Sequence, residues 1–187
     1  MIKERHGKTF ETALSQGKVD EQMESLCRFI SGTKGYYTSS CCSGRIMLLE
    51  KRGDRKKDNL FHRKWHREVS LEELLEGLRE NTRGELWFKL EPFILHIGCA
   101  NLRDSVKVLG AMKNAGVKRG GIIVAEKEKF LIELQGTERM SFRVKISGRA
   151  MVGEDYIDSI FPMANRMLAK NYSRLERLES EFRKTLR

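Results

Sequence analysis

Long apolar runs are missing from this sequence. No window approaches the roughly 18 uninterrupted apolar residues of a membrane span, so no membrane partner is expected. The first residues, Met1-Ile2-Lys3-Glu4-Arg5-His6, have no apolar run behind their charges. A secretory leader is therefore not expected, and the expected location is cytoplasmic. Cysteine is scarce, and none of Cys27, Cys41, Cys42 and Cys99 belongs to a C-x-x-C pair. Zinc at its usual ligand spacing is not expected, and no metal site is assigned. Adjacent Cys41 and Cys42 could close a strained vicinal disulfide, but reduced thiols are the commoner state in a reducing cytosol. No G-x-G-x-x-G follows a strand pattern, which leaves a Rossmann-type nucleotide site without support.

What is present is charge. The chain has 187 residues, 40% hydrophobic and 33% charged, and carries 36 Lys and Arg against 26 Asp and Glu. That length suits one compact domain with a sizeable core. A net charge of +10 favours a polyanionic partner, although many basic surfaces are simply solvated. The distribution decides in favour of nucleic acid. Lys51, Arg52, Arg55, Lys56 and Lys57 crowd one loop, and Arg63, Lys64 and Arg67 follow with Trp65, His62 and His66 among them. Cations interleaved with flat rings suit phosphate contact plus base stacking. An anionic membrane fits less well, because Glu72, Glu73, Glu76 and Glu80 load the polar face of the next helix.

The periodicity reads as alternating helices and strands. Asp20 precedes Met23, Leu26, Cys27 and Ile30 at helical spacing, ending at Gly32. Strands are expected over 44–51, 60–67, 86–90, 93–97, 122–125, 130–134 and 140–146, with Pro92 at a turn. Ser70 with Glu73 forms a capping box ahead of Leu71, Leu74, Leu75 and Leu78, and Asn81 closes that helix. Leu102, Val106, Leu109 and Met112 make another, closed by Gly116. The tail from Glu154 is helical, with Pro162 kinking or restarting it. The segment 44–51 (GRIMLLEK) resembles 120–127 (GGIIVAEK), each after a helix and a Gly/basic turn. This suggests an internal duplication within one mixed sheet. No Pro/Ser-rich linker separates the copies, so residues 1–187 are kept as one domain with helical N- and C-terminal segments.

Two stretches could hold an anion. Thr38 to Arg45 offers several hydroxyls, Gly44 and the Arg45 fork, which would suit a phosphate or the carboxylate of an amino-acid cofactor. The turn from Gly116 to Gly121, with Lys118 and Arg119, is a second candidate. Spacing alone favours the plainer reading of both, a polar turn entering a strand.

Several blocks resemble the wyosine-pathway tRNA N4-methyltransferases, the tRNA wybutosine-synthesizing protein 3 family of archaeal type. They are Tyr36-Tyr37-Thr38 with Ser40, Cys42, Ser43, Gly44, Arg45 and Ile46; Lys64-Trp65-His66-Arg67-Glu68; and Leu86-Trp87-Phe88-Lys89 with Pro92 to His96. The passage from Ala111 to Ile122 follows, then Ala164-Asn165 with Asn171, and Asp20 matches an acidic position at the first conserved helix. The blocks keep the family's order from about Asp20 to Leu178. One departure is Cys41, where the family usually has Ser.

The resemblance implies a non-Rossmann α/β fold: a curved, barrel-like mixed sheet flanked by helices. It also implies S-adenosylmethionine as methyl donor. The acceptor would be N4 of the tricyclic wyosine-type base beside the anticodon of tRNA-Phe, with no DNA partner.

Methyl transfer needs the acceptor, methyl and sulfur in line, and the acceptor nitrogen must lose a proton. His96, on an apolar strand, could accept that proton. So could His66, whose rival role is stacking on tRNA, or Asp20. The plainer readings are a buried His bonded to backbone for His96 and a helix cap for Asp20. Donor binding would fall to Ser40, Ser43, Gly44, Arg45 and Asn165, and RNA binding to Lys51, Arg52, Arg55, Lys56, Lys57, Lys64 and Trp65. Rival functions are a methyltransferase for another base, a non-catalytic RNA- or DNA-binding module, and a structural ribonucleoprotein component.

Overall fold

The apolar spacings expected of helices and strands are realised in a computed structural model that describes residues 2–186, the Lys56 side chain excepted. Helices α1 (Ile2–Ser15) and α2 (Glu21–Gly32) lead into strands β1 (Tyr36–Cys42), β2 (Arg45–Lys51) and β3 (Asn59–Trp65). Helix α3 (Leu71–Arg79), strands β4 (Glu85–Glu91) and β5 (Ile94–Cys99) and helix α4 (Leu102–Asn114) follow. Strands β6 (Arg119–Glu126), β7 (Lys129–Gln135), β8 (Met140–Ile146) and β9 (Arg149–Ala150) precede the long helix α5 (Glu154–Thr185).

The chain divides into two compact units, each assembled from separated stretches. The first takes the residues up to Ser43, then Phe93–Thr137, then those from Asn171 onward; the second takes Gly44–Pro92 and Glu138–Lys170.

In the first unit the sheet order is β1-β5-β7-β6. One face of that sheet is apolar: Leu95, Ile97, Ile132 and Leu134 are fully buried. They belong to a core that includes Met23, Leu26 and Ile30 of α2, Val108 and Ala111 of α4, and Leu178 and Phe182 of α5. Cys27 is buried in the same core, as its place on the α2 stripe implies, and none of the four cysteines is in a disulfide. The hydrogen bond it donates to Cys41, then burial, push the Cys27 thiol far up.

In the second unit the order is β3-β2-β4-β8-β9. Strand β4 alternates cleanly, burying Leu86, Phe88 and Leu90 and leaving Glu85, Trp87, Lys89 and Glu91 on the other face, the pattern of an antiparallel strand covered on one side. The α3 capping box is formed as expected, the Ser70 hydroxyl accepting from Glu73 N–H at 3.2 Å and the Glu73 carboxylate from Ser70 N–H at 3.0 Å. Helix α3 stops at Arg79, two residues short of Asn81.

Several expectations are corrected. The fold is α/β, but every strand pairing is antiparallel, so neither sheet is mixed. The reason is partly local: β6–β7 and β8–β9 are joined through Lys127-Glu128 and Ser147-Gly148, two-residue links that permit only antiparallel return. Ser147 and Gly148 both have positive φ, 48° and 78°, as such tight hairpins require. Neither sheet closes into a barrel among the described residues; each keeps two edge strands. The segments suspected of duplication do not share a sheet: β2 lies between β3 and β4 in one, and β6 is an edge of the other. Pro162 does not divide the tail, for α5 runs through it.

Candidate functional site

Antiparallel register places residues of neighbouring strands directly opposite on one face. In the first unit Ser40 of β1 faces His96 of β5, and His96 faces Glu133 of β7. The three side chains are bonded in that order. Ser40 Oγ is 2.6 Å from His96 Nδ1, and His96 Nε2 is 2.9 Å from a Glu133 carboxylate oxygen. A carboxylate can only accept, so Nε2 carries the proton and donates to Glu133; Nδ1 then accepts from the Ser40 hydroxyl. This corrects the reading of His96 as an imidazole bonded to backbone in a strand apolar on both sides. The face carrying Phe93, Leu95 and Ile97 is core, while the His96 side chain is 20% exposed on the opposite, polar face. Sequence reasoning missed Glu133. Its alternation with Ile132 and Leu134 marks its face, but not the strand that face meets.

The stretch read as a polar turn, Thr38 to Arg45, is strand β1 as far as Cys42. Its pairing partner, β5, lies some fifty residues on, and no local pattern announces it. Ser43 and Gly44 follow, with Gly44 at φ 97°, a conformation that suits glycine. Ser43 is fully buried. Its N–H and its hydroxyl both donate to one carboxylate oxygen of Asp20, at 2.7 and 3.0 Å. Asp20 occupies the N-cap position of α2 but makes no side-chain cap bond. The carboxylate that would ordinarily cap its own helix is turned instead to the β1–β2 junction.

In the second unit, Arg45 is not a free fork. Two of its nitrogens donate to one Glu91 oxygen at 3.1 and 2.7 Å, and its guanidinium carbon lies 5.0 Å from the Phe61 ring centre. Asn165 is also committed: it accepts from Val69 N–H at 3.1 Å and donates to Val69 C=O at 2.8 Å, clamping α5 to the segment before α3. Asn171 contrasts with it, being fully buried with no protein partner for either amide atom. A buried amide in that state calls for a ligand or an ordered water. His66 follows directly on β3 and is partly buried.

The basic residues divide. Arg52 pairs with buried Glu50 at 2.7 Å, Arg55 pairs with Asp58 at 3.4 Å, and Lys57 is exposed. Lys56 is the exception, its side chain lying outside the description. Lys51 stands 4.7 Å over the Trp87 ring and Lys64 5.4 Å over Phe61. Trp65, expected to stack beside Lys64, faces buried Ile46 and so points to the other side of its sheet. A one-residue step along a strand reverses the face.

A family model described as Methyltransferase TYW3 matches residues 2–184. A Pyrococcus horikoshii protein named tRNA(Phe) 7-((3-amino-3-carboxypropyl)-4-demethylwyosine(37)-N(4))-methyltransferase 1 is 38% identical over 175 residues, 92% of this chain and 89% of its own. The tRNA wybutosine-synthesizing protein 3 homolog of Xenopus laevis is 29% identical, across 91% of this chain and 69% of its own. The solved structure of the PH1069 protein of P. horikoshii superposes with a TM-score of 0.91 at 36% identity, covering 96% of this chain and 93% of that one. Sequence match from end to end and fold agreement at that level concur, and the chain belongs to the TYW3 methyltransferase family.

Proposed function

We propose that this protein is an S-adenosylmethionine-dependent tRNA methyltransferase, acting as one 1–187 domain on N4 of the wyosine-type base next to the anticodon of tRNA-Phe. The observation that carries this reading is the 38% identity, over nine-tenths of both chains, to a relative named for that reaction. Its name gives the acceptor as 7-(3-amino-3-carboxypropyl)-4-demethylwyosine, and we take the same intermediate as substrate here.

The donor would supply an electrophilic methyl group on a sulfonium. Asp20 and Ser43 fit the amino-acid end of such a molecule. A carboxylate turned from its cap suits an ammonium. The orphaned Asn171 amide is the second polar group suited to it. Arg45 and Asn165 are engaged within the protein and are not assigned to the donor.

The row Ser40–His96–Glu133 provides the base. The acceptor N–H gives its proton to Ser40 Oγ as the Ser40 proton passes to His96 Nδ1. The imidazolium so formed keeps its Nε2–H bond to the Glu133 carboxylate. This is the logic by which a base oriented by a third group activates a hydroxyl. The test has two arms: calorimetry with S-adenosylmethionine, and mass analysis of nucleosides from demethylwyosine-bearing tRNA-Phe after incubation. A mass increase of one methyl at that base is expected; binding of RNA without transfer would favour the non-catalytic module.

A further inference from the structure

One residue row crosses the second unit's sheet. Leu49 of β2 faces both Phe61 of β3 and Trp87 of β4, and Trp87 faces Arg143 of β8. All four share one face. Phe61 is 54% exposed and Trp87 partly so, with Leu49 buried between them. Each ring carries two cations within 6 Å of its centre: Arg45 and Lys64 at Phe61, Lys51 and Arg143 at Trp87. Significant cation–ring contacts arise about once per 70–80 residues, so a chain of this length should scatter two or three. Four of the five formed among its described side chains fall on these two rings.

The acids on this face are few. Glu91 holds Arg45, and Glu85 accepts from Arg143 at 2.6 Å and from the Trp87 indole N–H at 2.9 Å. The Arg143 bond, then the Trp87 bond, hold the Glu85 carboxyl below its usual range. The indole is therefore fixed at its edge, with its plane left to pack against something flat.

We propose that this face is a stacking platform for two unpaired bases of the RNA substrate. One base would lie on Phe61 and one on Trp87, with Lys51, Lys64 and Arg143 moving from the rings to the flanking phosphates. The proposal rests on the tRNA reading above and gives that substrate a second, non-catalytic contact. The chemistry matches single-stranded RNA. Two rings two strands apart, roughly 10 Å, cannot enter a stacked duplex, whereas splayed loop bases stack on aromatic residues of an open sheet. A duplex or an acidic protein would use the cations but leave the rings idle.

The test uses the full chain and an unmodified tRNA-Phe anticodon stem-loop. Ultraviolet crosslinking with peptide mapping should place loop nucleotides on Phe61 and Trp87. Phe61→Leu and Trp87→Leu should each weaken stem-loop affinity about 5- to 150-fold, with S-adenosylmethionine affinity and thermal melting unchanged. Crosslinks elsewhere, with wild-type affinity in a folded Phe61→Leu protein, would overturn the platform while leaving the methyltransferase reading standing. If the wild-type protein binds no tRNA at all, both fall.

Discussion

His96 and Glu50 show how differently two ionisable residues are used. His96 is bonded on both ring nitrogens on an open face. His96→Asn should lower turnover by roughly 10²–10⁴-fold while donor and tRNA affinity and thermal stability stay near wild type. Glu133→Gln removes the charge that supports the imidazolium, and its turnover should fall between wild type and His96→Asn. Single-turnover transfer measures both; normal rates in His96→Asn would return the base to Asp20 or His66. Glu50, by contrast, is 2% exposed and structural. One of its oxygens accepts from Arg83 and Gly84 N–H at 2.6 and 2.9 Å, and the other from Arg52. The Arg52 bond, aided by the two backbone donors, lowers its pKa to about 2. A depressed carboxylate contributes stability that is complete above its unfolded value, roughly 4.3, and lost as pH falls through about 2. Glu50→Gln should cost about 1–3 kcal/mol at neutral pH and remove that part of the acid slope, as urea titrations across pH would record. Residue identity was legible at this scale: His96, Ser40 and Asp20 all stand out in the sequence. Their partners were not, because Glu133 lies 37 residues beyond His96 and meets it only through register.

At the scale of elements, whatever is decided within a few neighbouring residues could be read in advance. The α3 capping box, the α2 stripe and the alternation of β4 are local patterns with local causes. Strand β1 is different: its Thr38, Ser39 and Ser40 look like a turn, and only backbone bonds to β5 make them a strand. How β1 is held also depends on one absent side chain. A Cβ at Gly98 would enter the ring of Tyr37, which faces it across the β1–β5 pair. Tyr37 in turn stacks on His6 of α1, centroids 4.5 Å apart. Gly98→Ala should therefore displace the Tyr37–His6 stack, costing about 1–3 kcal/mol as overpacking does. Hydrogen exchange should rise first in α1, and equal protection there in the variant would contradict this account.

For the whole molecule, the +10 charge makes salt the informative variable. If Arg55, Lys57 and Lys64 reach tRNA phosphates, replacing all three by Gln should flatten the log–log salt dependence of binding by about two units. This takes roughly 0.7 per phosphate on single-stranded regions. An unchanged slope, measured by filter binding across salt, would move the RNA surface elsewhere, for instance to Arg174 and Arg177 on α5. The basic loop was plain in composition. The aromatic row beside it was not, since Phe61 and Trp87 lie far apart in sequence and join one face only through β2.

The interleaving of the two units bears on how the protein is made. The first unit's core includes Leu175, Leu178 and Phe182 of α5, which leave the ribosome long after its sheet begins at Tyr36. Helices α1 and α2 lie against that opening strand, but the core they share cannot close until α5 has emerged. The second unit, whose residues end at Lys170, is complete first, and the first unit should acquire protease resistance only once the residues from Asn171 onward have emerged. A version ending at Lys170 keeps every residue assigned to the base, yet should accumulate as an insoluble or rapidly degraded product.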